Sequence, residues 1–152
     1  MGPQARARSL PPERAARQRP GEAGSVAGSL VPLLDTSALR GAVRSTAGCA
    51  QCESLRCDGW ESVSGPIGPP QLECIGTLRD PAIEEPTLTE RHEAGTGYWH
   101  ARAPLAVLHH PYNRCSVWRC PACGRGFVQY TEAGGYYVDH RIRAIDPDLI
   151  TD

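Results

Sequence analysis

The most regular alternation of apolar and polar positions lies near the C-terminal end of the chain. In YYVDHRIRAI (136–145), Tyr136, Val138, His140, Ile142 and Ala144 fall on one face, and Tyr137, Asp139, Arg141 and Arg143 on the other. That alternation predicts a strand with one face on a core, ended by Asp146-Pro147. GFVQYTE (126–132) predicts the strand before it, joined through a turn at Glu132-Ala133-Gly134-Gly135, and CSVWRC (115–120) predicts a third. Upstream, the apolar runs are shorter. A strand is expected near Trp60–Val63, within an irregular loop over 59–71. Another is expected in ECIGTLRDP (73–81), stopping at Asp80-Pro81. Residues 96–114 are apolar and aromatic but broken by Pro104 and Pro111, which predicts extended segments laid over a core. Two stretches read as helix. In 31–45, Asp35 or Thr36 is the N-cap and Leu39 and Val43 share a face, with Gly41 weakening the element. In 86–95, Thr87 and Glu90 have capping-box spacing and Gly95 is a natural stop. The expected fold is mainly β with one or two short helices.

Composition divides the chain. All nine aromatic residues lie between Trp60 and Tyr137, and all seven Cys and five His lie at or beyond Cys49. Residues 1–30 are rich in Arg, Pro and Gly, hold almost nothing that builds a core, and are expected to be disordered. Residues 31–152 are expected to form one domain. The sixteen basic side chains are all Arg. Residues 1–48 carry seven Arg and three acids (+4), whereas 49–152 carry nine Arg and fourteen acids (−5). The second balance argues against a phosphate-binding surface. No apolar run approaches the ~20 residues of a membrane span, and no secretory leader is visible. An odd count of seven cysteines is not the even framework of a secreted disulfide protein. The reducing cytoplasm is therefore the expected compartment, where close cysteine pairs point to metal or redox chemistry.

Four cysteines form two CxxC pairs, Cys49/Cys52 and Cys120/Cys123. Zinc favours four tetrahedral ligands, and a CxxC turn brings two thiolates to one ion. Cys120-Pro121-Ala122-Cys123-Gly124 lies between two strand-like runs and resembles the second knuckle of zinc ribbons and rubredoxins. Residues 112–150 resemble uncharacterised bacterial zinc-ribbon-like proteins. The resemblance implies zinc-ribbon-like antiparallel hairpins, here with a large insertion between the knuckles. The gap of residues 53–119 is far longer than the roughly 15–20 residues of ordinary ribbons. Closure cost grows only logarithmically with length, so one structural zinc per chain, held by Cys49, Cys52, Cys120 and Cys123, is the expected staple. Cys57, Cys115 or a histidine is the alternative source of one ligand, and iron is the alternative metal. Cys74 is expected in the core.

The histidines offer weaker chemistry. His109 and His110 read as polar surface residues, His92 as part of a solvated face, and His140 as half-buried on the apolar face of its strand. Val138-Asp139-His140 after a CxxC knuckle resembles HNH nucleases, which implies Asp139 and His140 as base and metal ligand. The downstream Asn and His of that pattern are missing. The aromatic residues suit a core better than base stacking. These features together favour a small soluble zinc-binding module without catalytic residues that recognises another protein, with a toxin-neutralising immunity protein as one form. A nucleic-acid-associated zinc ribbon and a truncated HNH-like nuclease are the alternatives.

Overall fold

A computed structural model of the chain describes residues 31–65 and 68–152. The disorder expected for residues 1–30 falls outside them. The chain enters through helix α1, Thr36–Ala42. Asp35 is its N-cap, and the carboxylate accepts a 2.7 Å hydrogen bond from the Ala38 amide. Leu39 and Val43 carry the helix face into the core, as their spacing predicts. Val43 is extended, and the next amide, Arg44, donates to the Gly124 carbonyl at 2.8 Å. The helix exit is thereby tied to the second CxxC turn.

The main sheet has five antiparallel strands: β1 Glu61–Val63, β2 Glu73–Thr77, β4 Ser116–Arg119, β5 Gly126–Ala133 and β6 Val138–Ala144. Their order is β1-β6-β5-β4-β2. The three C-terminal strands fall where the alternation places them. The short β3 (Leu105–Ala106) and β7 (Ile150–Thr151) form a separate parallel pair. Within 96–114, Ala103, Leu105, Ala106, Val107 and Tyr112 are buried in the core as expected, but the path is built from turns, the two-residue β3 and a 3-10 turn at Tyr112–Arg114 rather than from extended segments, and Trp99 and Leu108 stay exposed.

Both faces of the sheet are covered. Val117, Val128 and Tyr130 pack with Leu39, Leu105 and Tyr112 on one side. Phe127 and Ile142 pack with Leu72 and the cysteine-rich loop on the other. The long insertion supplies cover to both sides. For this reason the face of β6 that reads as polar is not uniformly solvated, and Arg143 is only 1% exposed. The hairpin tip escapes this cover, leaving Tyr136, Tyr137 and Val138 exposed.

Two further expectations are corrected. No helix forms over 86–95. Thr87 Oγ1 accepts instead from the Thr89 amide at 3.1 Å, a local turn that competes with helix capping. The carbonyls of Pro86, Thr87 and Thr89 accept from Arg114, Asn113 and the His110 amide, so this backbone is held extended by long-range bonds. Cys74 is exposed rather than in the core. It sits on the sheet-edge strand β2, where the register with β4 shifts between Cys74 and Gly76.

Candidate metal centre

The second cysteine pair occupies the turn of the β4–β5 hairpin. The last strand pair is Arg119 with Gly126, and the turn closes through bonds from the Cys120 amide to the Arg125 carbonyl and from the Gly124 amide to the Cys120 carbonyl. Gly124 has φ +82°, a conformation that side chains strain. The turn then directs the Arg125 amide onto Cys123 Sγ at 3.4 Å. The first pair follows α1. Gly48, at φ +66°, opens that turn. Past Cys52 the chain enters a single 3-10 turn, Glu53–Leu55, with the Leu55 amide on the Cys52 carbonyl. Glu53 thus replaces the glycine of an ordinary knuckle without disrupting the cysteine positions.

The two turns place all four sulfurs together. Cys49 Sγ lies 3.9 Å from Cys120 Sγ, and Cys52 Sγ lies 3.7 Å from Cys123 Sγ. All four ligand atoms lie within 4.8 Å of one another. A tetrahedron with metal–sulfur bonds of about 2.3 Å has a sulfur–sulfur edge of about 3.8 Å. The two cross-knuckle distances match that edge and are much longer than a disulfide bond of about 2.05 Å. Four sulfurs with no oxygen or nitrogen donor fit a thiophilic tetrahedral ion.

The thiols are electrostatically unequal. Burial, together with hydrogen bonds to Cys123, Cys49 and Cys120, pushes Cys52 up to about 12. At Cys123 burial acts upward, but the nearby Thr46 hydroxyl and hydrogen bonds from the Arg125 amide, Cys52 and Cys49 outweigh it and bring the thiol down to about 6. Thr46 Oγ1 is buried close to this turn and makes no hydrogen bond of its own. Within the cluster Cys123 is thus the more acidic thiol and Cys52 the less acidic one.

The remaining cysteines lie elsewhere. Cys57 Sγ donates to the Ile142 carbonyl at 3.7 Å, and burial raises its pKa. Cys115 packs in the cluster of apolar side chains on the opposite face of the sheet and donates to the Pro111 carbonyl at 3.2 Å. Burial holds that thiol protonated.

No histidine joins the cluster. His110 packs edge-on against Tyr98 and Tyr130 and accepts from Arg114 Nε at 3.2 Å. His92 pairs with Glu90 at 3.0 Å, and His140 bonds Thr131 at 2.9 Å. Asp139 is bound to Ser62 and Arg141. Among the described residues, the four cysteines are the sole group of three or more Cys, His, Asp or Glu whose ligand atoms converge. Asp139 and His140 therefore gather no metal-binding partner of the HNH kind. Two further features carry no local sequence signal: an apolar groove lined by residues from four separate segments, and a cluster of arginines around the buried Arg143.

The chain is thus a small, mainly β module with two cysteine knuckles, a large insertion between them and a four-sulfur site of metal-binding dimensions. Comparison with protein-family models, curated proteins and solved structures finds no match for it.

Proposed function

We propose that Cys49, Cys52, Cys120 and Cys123 hold one structural zinc ion, and that the module they stabilise recognises another protein. The observation that carries the zinc reading is the sulfur spacing of 3.7 and 3.9 Å across the two knuckles. Four protein sulfurs fill a tetrahedral shell, which leaves no open position for substrate and favours a structural role. Seven free thiols support a reducing, cytoplasmic setting. No helix among the described residues is long and apolar enough to cross a membrane.

The protein-binding reading is supported by a groove of about 650 Å³. Leu33, Ile83 and Leu108 line it and are 49%, 46% and 61% exposed, far more than a core residue. Asp35, Asp80, Glu85 and Asp152 stand around it, and none of their side-chain carboxylates forms an ion pair among the described residues, while Arg91 donates to the Asp152 main-chain oxygen at 2.5 Å. Arg79, the one basic lining residue, directs its guanidinium to the carbonyls of Asp80, Ile83 and Glu84. An apolar segment flanked by Lys or Arg complements this surface. That chemistry suits a basic partner, including a toxin neutralised by an immunity-type protein.

Metal analysis and native mass spectrometry of protein purified without added metal test the centre. One zinc per chain is expected, and Cys120→Ser is expected to lose it and unfold. Iron in place of zinc, or metal-free protein with the same melting curve, overturns the reading. For the groove, selection from a random peptide library is expected to enrich apolar sequences flanked by basic residues that no longer bind Leu108→Asp. Acidic consensus sequences, or binding unchanged by Leu108→Asp, rule the groove out.

A further inference from the structure

Arg143 poses an energetic problem. Its side chain is buried at 1% exposure and, among the described residues, forms no ion pair. Its guanidinium donates to neutral groups only: the Tyr112 hydroxyl, the Ala101 carbonyl at 3.1 Å and the Ala103 carbonyl at 2.9 Å. Nε is buried and has no partner. A guanidinium cannot shed its proton to escape burial, and a buried unpaired cation is strongly unfavourable.

Arg143 also lines a pocket of about 270 Å³ beside the C-terminal end of β6. Arg56, Arg102 and Arg125 line the same pocket, against Asp58 and Asp146. Four Arg and two Asp leave a local balance of +2. Neither aspartate pairs with any of these arginines, and Asp146 uses Oδ1 to cap the Asp148 amide at 3.0 Å. This positive pocket lies in a region, 49–152, whose overall balance is −5. It departs from the charge average that argues against phosphate binding.

We propose that this pocket binds a small phosphate-bearing ligand. Arg56, Arg102 and Arg125 present planar donor forks suited to phosphate oxygens, and Arg143 adds positive potential from the pocket wall. The pocket is distinct from the apolar groove and does not depend on the reading of the metal centre. Its volume admits a free phosphate or the phosphoryl end of a small phosphosugar.

The test is a titration of the full chain, as purified, with inorganic phosphate and separately with ribose 5-phosphate. Ionic strength is held constant with chloride, and the arginine Nε–H resonances are followed by NMR. Saturable shifts of Arg143 and Arg102 are expected, with a Kd of about 1 mM or tighter. Tighter binding of ribose 5-phosphate identifies a phosphosugar-like source, and equal binding identifies free phosphate. Arg56→Gln and Arg102→Gln are each expected to weaken binding roughly tenfold while the backbone spectrum stays folded, since each removes a charge-assisted bond. Arg91→Gln, outside the pocket, leaves binding unchanged. Absence of saturable shifts with both ligands, or unchanged affinity in folded Arg56→Gln and Arg102→Gln, overturns the proposal.

Discussion

Cys57 and Cys115 each stand four intervening residues from a CxxC pair, yet each gives its thiol to a backbone carbonyl while the paired cysteines face one another. Spacing alone leaves those roles open. Tertiary position settles which sulfurs converge, because Cys115 is carried to the other face of the sheet. The Cys120–Gly124 turn is the more legible half, because its requirements are local: a hairpin turn and a glycine with positive φ. Gly124→Ala forces φ +82° on a residue with a Cβ and brings that atom within 3.2 Å of Arg44 Cδ. The mutation is expected to cost about 1–2 kcal/mol at that turn, and so to weaken zinc binding by roughly five- to thirtyfold. Competition with a chromophoric chelator measures it. Cys57→Ser, which leaves the cluster intact, is expected to retain one zinc per chain.

At the scale of elements, α1 and β4 to β6 were readable because their signals are local. A cap followed by an apolar face defines the helix, and strict alternation defines the strands. The 86–95 stretch has an equally local capping signal and still stays extended, because residues 110–114 claim its carbonyls. No window of sequence contains both partners of those bonds. The same limit hid the burial of Arg143, since its cover comes from residues 101–112, about 30 to 40 positions upstream. The helix makes a quantitative test. Gly41 lies within α1 with nothing near the position of an added Cβ. Gly41→Ala is expected to stabilise the fold by about 0.5–1 kcal/mol, whereas Asp35→Ala, which removes the cap, is expected to destabilise it by about 1 kcal/mol. Urea denaturation of the two variants should move the midpoint in opposite directions. A shift of the same sign in both would contradict the capping account.

Across the whole molecule, the four sulfurs join two turns separated by residues 53–119, and that intervening segment covers both faces of the sheet. On the proposed zinc reading, metal loss frees the ends of the segment that completes the core. Structural zinc contributes on the order of 10 kcal/mol in small domains, comparable to the whole margin of about 5–15 kcal/mol of a typical domain, so chelation is expected to unfold residues 31–152 cooperatively. Acid should act in the same direction through two groups of sites. Zinc needs thiolates, and metal-free Cys52 holds its proton up to about 12, so falling pH favours release of the ion. The second contribution is metal-independent. Burial, aided by Arg114, pushes the His110 pKa below the usual histidine range, and Glu132 and Glu90 only partly oppose this. The unfolded chain then binds the His110 proton more readily than the folded one. Stability rises with pH across this titration, and it is lost as pH falls below the unfolded value of about 6.5. His110→Gln removes that proton-linked loss but leaves the sulfur chemistry intact. Zinc-loaded His110→Gln is expected to show a shallower fall in unfolding free energy between about pH 7 and pH 5 than the parent chain. Both proteins should still release zinc over the same acid range. An identical slope in parent and variant would remove His110 as a source of acid sensitivity and leave the effect to the cysteine cluster.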